Sequence, residues 1–317
     1  MQDTLVLPGR ATQNFNHIAP GVIGTRIVMV NVYAITAPDG SWMLVDAGLP
    51  FSAGRIERWC EENFNYTRPR AIVLTHGHFD HVGALKALAE LWNVPIYAHP
   101  LEMPYLTGRS GYPPPDPAVG GGAMALMSCM YPRGPVDVSN HVQELPEDGS
   151  IPTMPGWRWI HTPGHTAGHI SLFRDEDRVL IAGDAFVTTK QESVMAVATQ
   201  RRELHGPPAY YTSDWDAAKL SVQRLAGLYP NVLATGHGQP MVGPEAGAAL
   251  QYLADQFDVV ARPSQGRYLR EPAVTDERGV VRVPPAVPNP ATPYLLGAAA
   301  AACIWYGLSS RQKRRSY

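Results

Sequence analysis

The chain predicts a layered α/β architecture, and two features of its patterning carry that prediction. Short apolar runs such as AIVLT (71–75), VPIYAH (94–99), RVLIAG (178–183) and NVLAT (231–235) have the length of strands, not of helices. Between them lie stretches whose apolar residues recur at three- and four-residue spacing, the period of a helix with one buried face. Strands alternating with such helices build sheets covered by helices. At 317 residues and 45% hydrophobic, the chain can bury the core of one large domain or two ordinary ones.

From the N-terminus, RIVMVNVYAIT (26–36) and SWMLVDA (41–47) read as two β-rich runs parted by the turn signal Pro38-Asp39-Gly40. A polar helical stretch follows near Ala53 to Asn63, then the strand AIVLT. VGALKALAELW (82–92) has helical spacing, with Asn93 and Pro95 beyond its end, and VPIYAH closes the unit as a strand. Residues 108–135 break the pattern: GRSGYPPPDPAVGGG is turn-rich, and AMALMSCMYPRG adds Met124, Met127 and Met130. Strands resume with WRWIHT (157–162), HISLF (169–173) and RVLIAG. SDWDAAKLSVQRLAGLYP (213–230) is a helix, with Ser213 and Asp216 fitting a capping box and Pro230 just past its end. NVLAT is the next strand. No fixed-period repeat occurs, and two similar α/β halves flanking the methionine-rich insert fit the pattern.

This reading divides the chain into a main domain over 1–262 with an insert at 108–135, and a proline-rich extension at 263–293 with one hairpin around Asp276-Glu-Arg-Gly279. An apolar segment at 294–308 and a basic tail at 309–317 follow. The apolar run is shorter than the ~20 residues of a spanning helix, but its aromatic and basic flank has the character of a membrane interface. Residues 294–315 are therefore the candidate for membrane contact, weighed against a helix docked on the domain or a loose tail.

Composition excludes some classes. A net charge of -2 provides no basic field for a nucleic-acid backbone. Cys60, Cys129 and Cys303 lie far apart without a CxxC pair, which fits a reducing compartment and argues against cysteine-built zinc sites. The start, MQDTLVLPGR, lacks a basic stretch followed by an apolar run, so no signal peptide and a cytoplasmic location are expected.

The chemistry concentrates in THGHFDHVG (75–83), which places His76, His78, Asp80 and His81 directly after a strand. Sites gather at the carboxyl ends of strands in α/β sheets, and imidazole and carboxylate are the donors that divalent first-row metals accept. One metal rarely needs four donors from six residues; two neighbouring metals would use them all. Further donors follow other apolar strands: His165 after WRWIHT, Asp184 after RVLIAG and His237 after NVLAT, each beside glycine.

HGHFDH with His165, Asp184 and His237 resembles the metallo-β-lactamase-fold hydrolase superfamily, in particular its lactonase and glyoxalase II-like members. The likeness runs over roughly residues 20–260, and VDAG (45–48) matches a further recurring motif. The resemblance implies an αβ/βα four-layer sandwich with two facing mixed β-sheets and a catalytic domain over 1–262, with 108–135 as a cap. It implies that His76, His78 and His165 bind one divalent metal, that Asp80, His81 and His237 bind a second, and that Asp184 bridges them. Asp46 corresponds to the family's buried carboxylate that orients the histidine loop. Zinc comes first as the metal, with manganese, iron and cobalt tolerated by the same donors. His17, His99, His141, His161, His169 and His205 match no ligand position and are read as structural or surface residues, with His205 the best candidate among them for a pocket wall.

Two cations sharing a water lower its pKa toward neutrality, and the resulting hydroxide needs no serine or cysteine nucleophile; no GxSxG motif occurs. Asp80 and Asp184 would act catalytically by orienting that hydroxide. The reaction expected is hydrolysis of an ester, thioester or lactone in a small to medium substrate. Asp184 stands where the largest subclass of true metallo-β-lactamases carries cysteine. Acyl-homoserine lactonases share the donors but carry tyrosine where this chain has Val187, a role Tyr210 or Tyr211 could take. Glyoxalase II enzymes add a helical C-terminal domain unlike the proline-rich segment here. The alternative is a mononuclear iron oxidoreductase of persulfide-dioxygenase type on His76, His165 and Asp184, which leaves the remaining donors unused. A flavodiiron site is disfavoured because His78 stands where that pattern has glutamate.

Overall fold

The structure, a computed structural model, describes residues 17–288. A first sheet is built by β1 (Val22–Ile27), β2 (Val30–Thr36), β3 (Trp42–Val45), β4 (Ile72–Val73), β5 (Ile96–Ala98) and β6 (Val142–Glu144), in that spatial order. β1, β2 and β3 pair antiparallel, and β3 to β6 pair parallel. The chain links these strands through α1 (Ala53–Phe64), α2 (Phe79–Val82), α3 (Leu85–Trp92), α4 (Met103–Leu106) and α5 (Ala123–Met127).

The second sheet holds β7 (Trp157–His161), β8 (Ile170–Arg174) and β9 (Val179–Gly183). After α6 (Val194–Thr199) and α7 (Trp215–Ala226) it is completed by β10 (Val232–Thr235) and β11 (Met241–Val242), in the order β11-β10-β9-β8-β7. β9 and β10 run parallel and their neighbours antiparallel. α8 (Pro244–Asp255) and α9 (Phe257–Val260) follow, and β12 (Val274–Asp276) with β13 (Gly279–Arg282) forms the hairpin expected around Asp276 to Gly279.

Why these strands read as continuous apolar runs is clear from where alternate side chains go. In β3, Trp42 and Leu44 pack with Ile56, Trp59, Leu85 and Leu88 of α1 and α3, whereas Met43 and Val45 face the other sheet. In β9, Leu180 and Ala182 pack on α7 and α8, whereas Val179 and Ile181 meet the first sheet. Each central strand is buried on both faces, so period-two alternation of polarity is lost. The result is four layers, helices–sheet–sheet–helices, with three apolar interfaces between them.

Four expectations need correction. Residues 26–36 are not one strand: β1 ends at Ile27, Val28 takes a left-handed backbone (φ 61°) and the chain turns back as β2. The helix read over 82–92 starts later: Val82 ends α2, and α3 begins at Leu85 after Gly83, whose position has no room for a side chain against Leu49 and Pro50. The cap of α7 is Asp214, whose Oδ1 accepts from the Asp216 and Ala217 N–H groups at 3.1 and 2.9 Å; the Ser213 hydroxyl points to the His165 carbonyl instead. The insert does not separate two halves, because β6 lies beyond it and still pairs with β5. The proposed membrane-contact segment and the basic tail lie outside the described residues, and no helix among the described residues is long and apolar enough to cross a membrane.

Candidate metal centre

All the donors singled out in the sequence converge. His76, His78 and His165 form one buried group, Asp80, His81 and His237 a second, and His76, His81 and Asp184 a third, with donor atoms in each group within 4.8 Å of one another. They arrive from both sheets. The 75–83 segment leaves β4, turns at His78 into α2, and so presents Asp80 and His81 one helical step apart. His165 lies between β7 and β8, Asp184 directly after β9, and His237 after β10. Gly236 is needed for close approach, since a Cβ there would run into the Asp184 carboxylate and lie 2.8 Å from the His81 ring.

The hydrogen bonds on the outer side of each ring decide which nitrogen faces the centre. Asp46, in a left-handed conformation (φ 63°), accepts from the Thr75 N–H and the Thr75 hydroxyl, both at 2.8 Å, and from His81 Nδ1 at 2.8 Å. Because the Thr75 hydroxyl donates to Asp46, it accepts from His76 Nδ1 at 3.0 Å. His237 Nδ1 donates to the Met29 carbonyl at 2.8 Å. The Thr212 hydroxyl donates to the Pro208 carbonyl and so receives His165 Nδ1 at 3.4 Å. These four rings therefore carry the proton on Nδ1 and turn Nε2 inward. His78 is reversed: its Nδ1 faces inward, 3.0 Å from His165 Nε2.

Asp184 occupies the middle, 3.5 Å from His165 Nε2, 3.6 Å from His81 Nε2 and 3.2 Å from His237 Nε2. Its backbone N–H donates to His169 Nε2 at 2.9 Å, and His169 Nδ1 donates in turn to the Thr162 carbonyl at 3.1 Å. His169 is thus structural, as expected, but it grips the backbone of a central residue. Burial, reinforced by the neighbouring imidazoles, holds His76 and His165 well below the usual range and His78 at about 3, so their lone pairs are free. Burial opposes charge on His237 and His81 as well. There the facing carboxylates win, raising His237 to about 10 and His81 well above its ordinary value. Asp184 and Asp80 are pulled below the usual carboxylate range against the penalty of burial by these same imidazoles.

Whether such residues suit a metal is tested by their unmet valences. His76 Nε2, His81 Nε2 and Asp184 Oδ1 are buried and have no hydrogen-bond partner. Buried polar atoms are nearly always paired, and inward lone pairs around a carboxylate are what a divalent cation satisfies. The residues fit the group.

The model of the metallo-beta-lactamase superfamily matches residues 25–237, which is more than half of the chain and includes every donor named above. The chain belongs to the metallo-beta-lactamase superfamily. It is 49% identical over 245 residues to the probable metallo-hydrolase YflN of Bacillus subtilis (strain 168), covering 76% of this chain and 93% of that one. A second relative, the probable metallo-hydrolase YybB of the same organism, is 29% identical over 55% of this chain and 66% of its own length. Among solved structures, the metallo-beta-lactamase family protein TTHA1429 from Thermus thermophilus superposes with a TM-score of 0.52 at 23% identity, covering 76% and 81% of the two chains, a likeness of fold. The two mixed sheets are thus the superfamily's sandwich.

Residues of the 108–135 segment pack beside these donors, with the Tyr112 ring 4.5 Å from that of His78. Met124 and Ala125 of α5 pack with Tyr210 and Tyr211, and Tyr131 lies against Phe79, with ring centroids 5.9 Å apart. Met127 and Met130 are exposed, so only one of the three methionines is packing. Tyr211 stacks on His78 (4.2 Å, 26°) and its hydroxyl is spent on the Pro132 carbonyl. Tyr210 and Val187 are both buried. His205 lines a cavity of about 470 Å³ with Lys190, Glu192 and Arg262; none of the metal-centre donors borders it. Sequence reading missed Thr75, Thr212, the Met29 carbonyl and the buried Glu102, because common residues and backbone groups carry no signal of their own.

Proposed function

We propose that this protein is a dinuclear metal-dependent hydrolase that cleaves an ester, thioester or lactone bond of a small to medium substrate. The observation that carries the reading is the pair of donor triads, His76–His78–His165 and Asp80–His81–His237, with Asp184 between them and buried lone pairs left unmatched. The similarity to probable metallo-hydrolases supports hydrolysis as the reaction class.

Two divalent cations, zinc first among them, would supply Lewis acidity and a water of near-neutral pKa. The chain's own residues do the rest. Asp80 and Asp184 stay ionised, so they orient the attacking water as acceptors and are poor proton donors. Asp46 and Met29 hold the rings of His81 and His237 against rotation. Tyr131, Tyr211, Phe79 and Met124 give an aromatic and apolar cover suited to neutral acyl groups. Of the two tyrosines considered for the role Val187 cannot fill, Tyr211 spends its hydroxyl on the Pro132 carbonyl, which leaves Tyr210.

The deciding experiment is elemental analysis of the purified chain, followed by a panel of esters, thioesters and lactones. About two atoms of zinc, manganese or cobalt per chain with turnover of one of these classes supports the reading. About one iron per chain, with oxygen uptake on a persulfide and no hydrolysis, replaces it with the dioxygenase reading.

A further inference from the structure

Glu102 ends the short turn Pro100–Glu102 ahead of α4 and is buried. Its two carboxylate oxygens are divided between the two loops that carry the first histidine triad. Oε2 accepts from the Gly77 N–H at 3.0 Å and from the Tyr112 hydroxyl. Oε1 accepts from the Thr166 hydroxyl at 2.7 Å and from the Gly168 N–H at 3.1 Å. Gly77 lies between His76 and His78, and Thr166 follows His165. Four donors meet the four lone-pair sites of one carboxylate.

Tyr112 completes the arrangement. Its hydroxyl also accepts from the Gly77 N–H at 2.8 Å, and its ring lies 4.5 Å from that of His78. The glycines make room for this contact: a Cβ on Gly168 would lie 2.7 Å from Glu102 Cγ, and one on Gly77 2.7 Å from the Tyr112 hydroxyl. The second triad is held otherwise, with His81 on Asp46 and His237 on the Met29 carbonyl.

We propose that Glu102, supported by Tyr112, is a positioning residue that ties the His76–His78 loop to the His165 loop and sets the spacing of that triad more than that of the other, which Glu102 does not touch. The inference rests on the dinuclear reading above. An ionised carboxylate suits the task because it accepts at both ends. The amide of a glutamine has one accepting end, so Glu102→Gln turns an NH2 group toward the backbone N–H of either Gly77 or Gly168, and neither N–H can reverse.

The test uses the full chain, stripped and titrated with cobalt(II) alone, reading bound cobalt and the visible absorption bands, with circular dichroism as the control for folding. The wild type is expected to bind two cobalt ions. Glu102→Gln should keep one of them at wild-type affinity and weaken the other by about 10–100-fold, the size of effect that outer partners of metal-binding histidines have. In a His237→Ala background, the same substitution should weaken the cobalt that remains by that same factor. Tyr112→Phe should act in the same direction more weakly, and it decides the matter should Glu102→Gln not fold. Unchanged affinities and spectra in these variants, or equal weakening of both ions, overturn the clamp alone. A wild-type chain that binds no cobalt overturns the dinuclear reading and this proposal with it.

Discussion

Each histidine of the centre except His78 uses one ring nitrogen to hold the scaffold and turns the other inward, so ring orientation is fixed before any ligand arrives. Charge is settled at the same scale. His237, raised to about 10 by Asp184 and Asp80, carries a proton at neutral pH, and a metal can take its Nε2 only after that proton leaves. Metal binding should therefore release protons, and apparent affinity should rise with pH until about 10; calorimetry in buffers of different ionisation enthalpy would show it. A proton count of zero at neutral pH counts against His237 as a donor. Asp184, central to three of the imidazoles, should weaken both cations when replaced: Asp184→Asn is expected to lose more than tenfold in affinity at each site, measured by equilibrium dialysis. Loss at one site only would remove it as the bridge. The candidate donors were legible in the sequence because histidine and aspartate after apolar strands are conspicuous. Their partners were not, since Thr75, Thr212 and a carbonyl of Met29 look like any other residues until the chain has folded.

At the scale of elements, the strands and helices matched their patterns where burial was uniform and departed where a local side chain overrode it. The capping of α7 is the clearest case. Both Ser213 and Asp214 can cap a helix, and the Ser213 and Asp214 N–H groups both bond the Gly164 carbonyl, which sets Asp214 as the last extended residue. Asp214→Ala should cost about 1 kcal/mol, measured by denaturant unfolding, while Ser213→Ala should cost distinctly less; the reverse order would restore the capping box read from the sequence. The β1–β2 hairpin escaped notice because its turn, Val28-Met29, contains no glycine, proline or asparagine, although Val28 adopts the left-handed backbone those residues favour. That unusual turn places the Met29 carbonyl on His237.

For the whole molecule, the centre sits where both sheets end, so donors from β4, β9 and β10 and from the β7–β8 loop pull the two halves together. Bound cations should then stabilise the entire fold. A ligand at a hundredfold its Kd adds about 2.7 kcal/mol, and one kcal/mol moves Tm by roughly 1.5 °C for a chain of this length, so chelation should lower Tm by about 4 °C or more in a thermal melt. An unchanged Tm would show that the site contributes nothing to holding the sheets. The insert belongs to this scale too, since Tyr131 meets Phe79 and Met124 meets Tyr210 and Tyr211, contacts between segments far apart in sequence.

The sequence alone determined the layered α/β class, and it singled out the strand ends and the candidate donors that the fold brings together. These depend on local periodicity and on residue types with scarce chemistry. Only the tertiary structure decided which ring nitrogen faces inward and that Glu102 joins two loops 25 and 64 residues away from it. Those outcomes depend on distances between segments that meet only after the two sheets have packed, and no pattern along the chain encodes them.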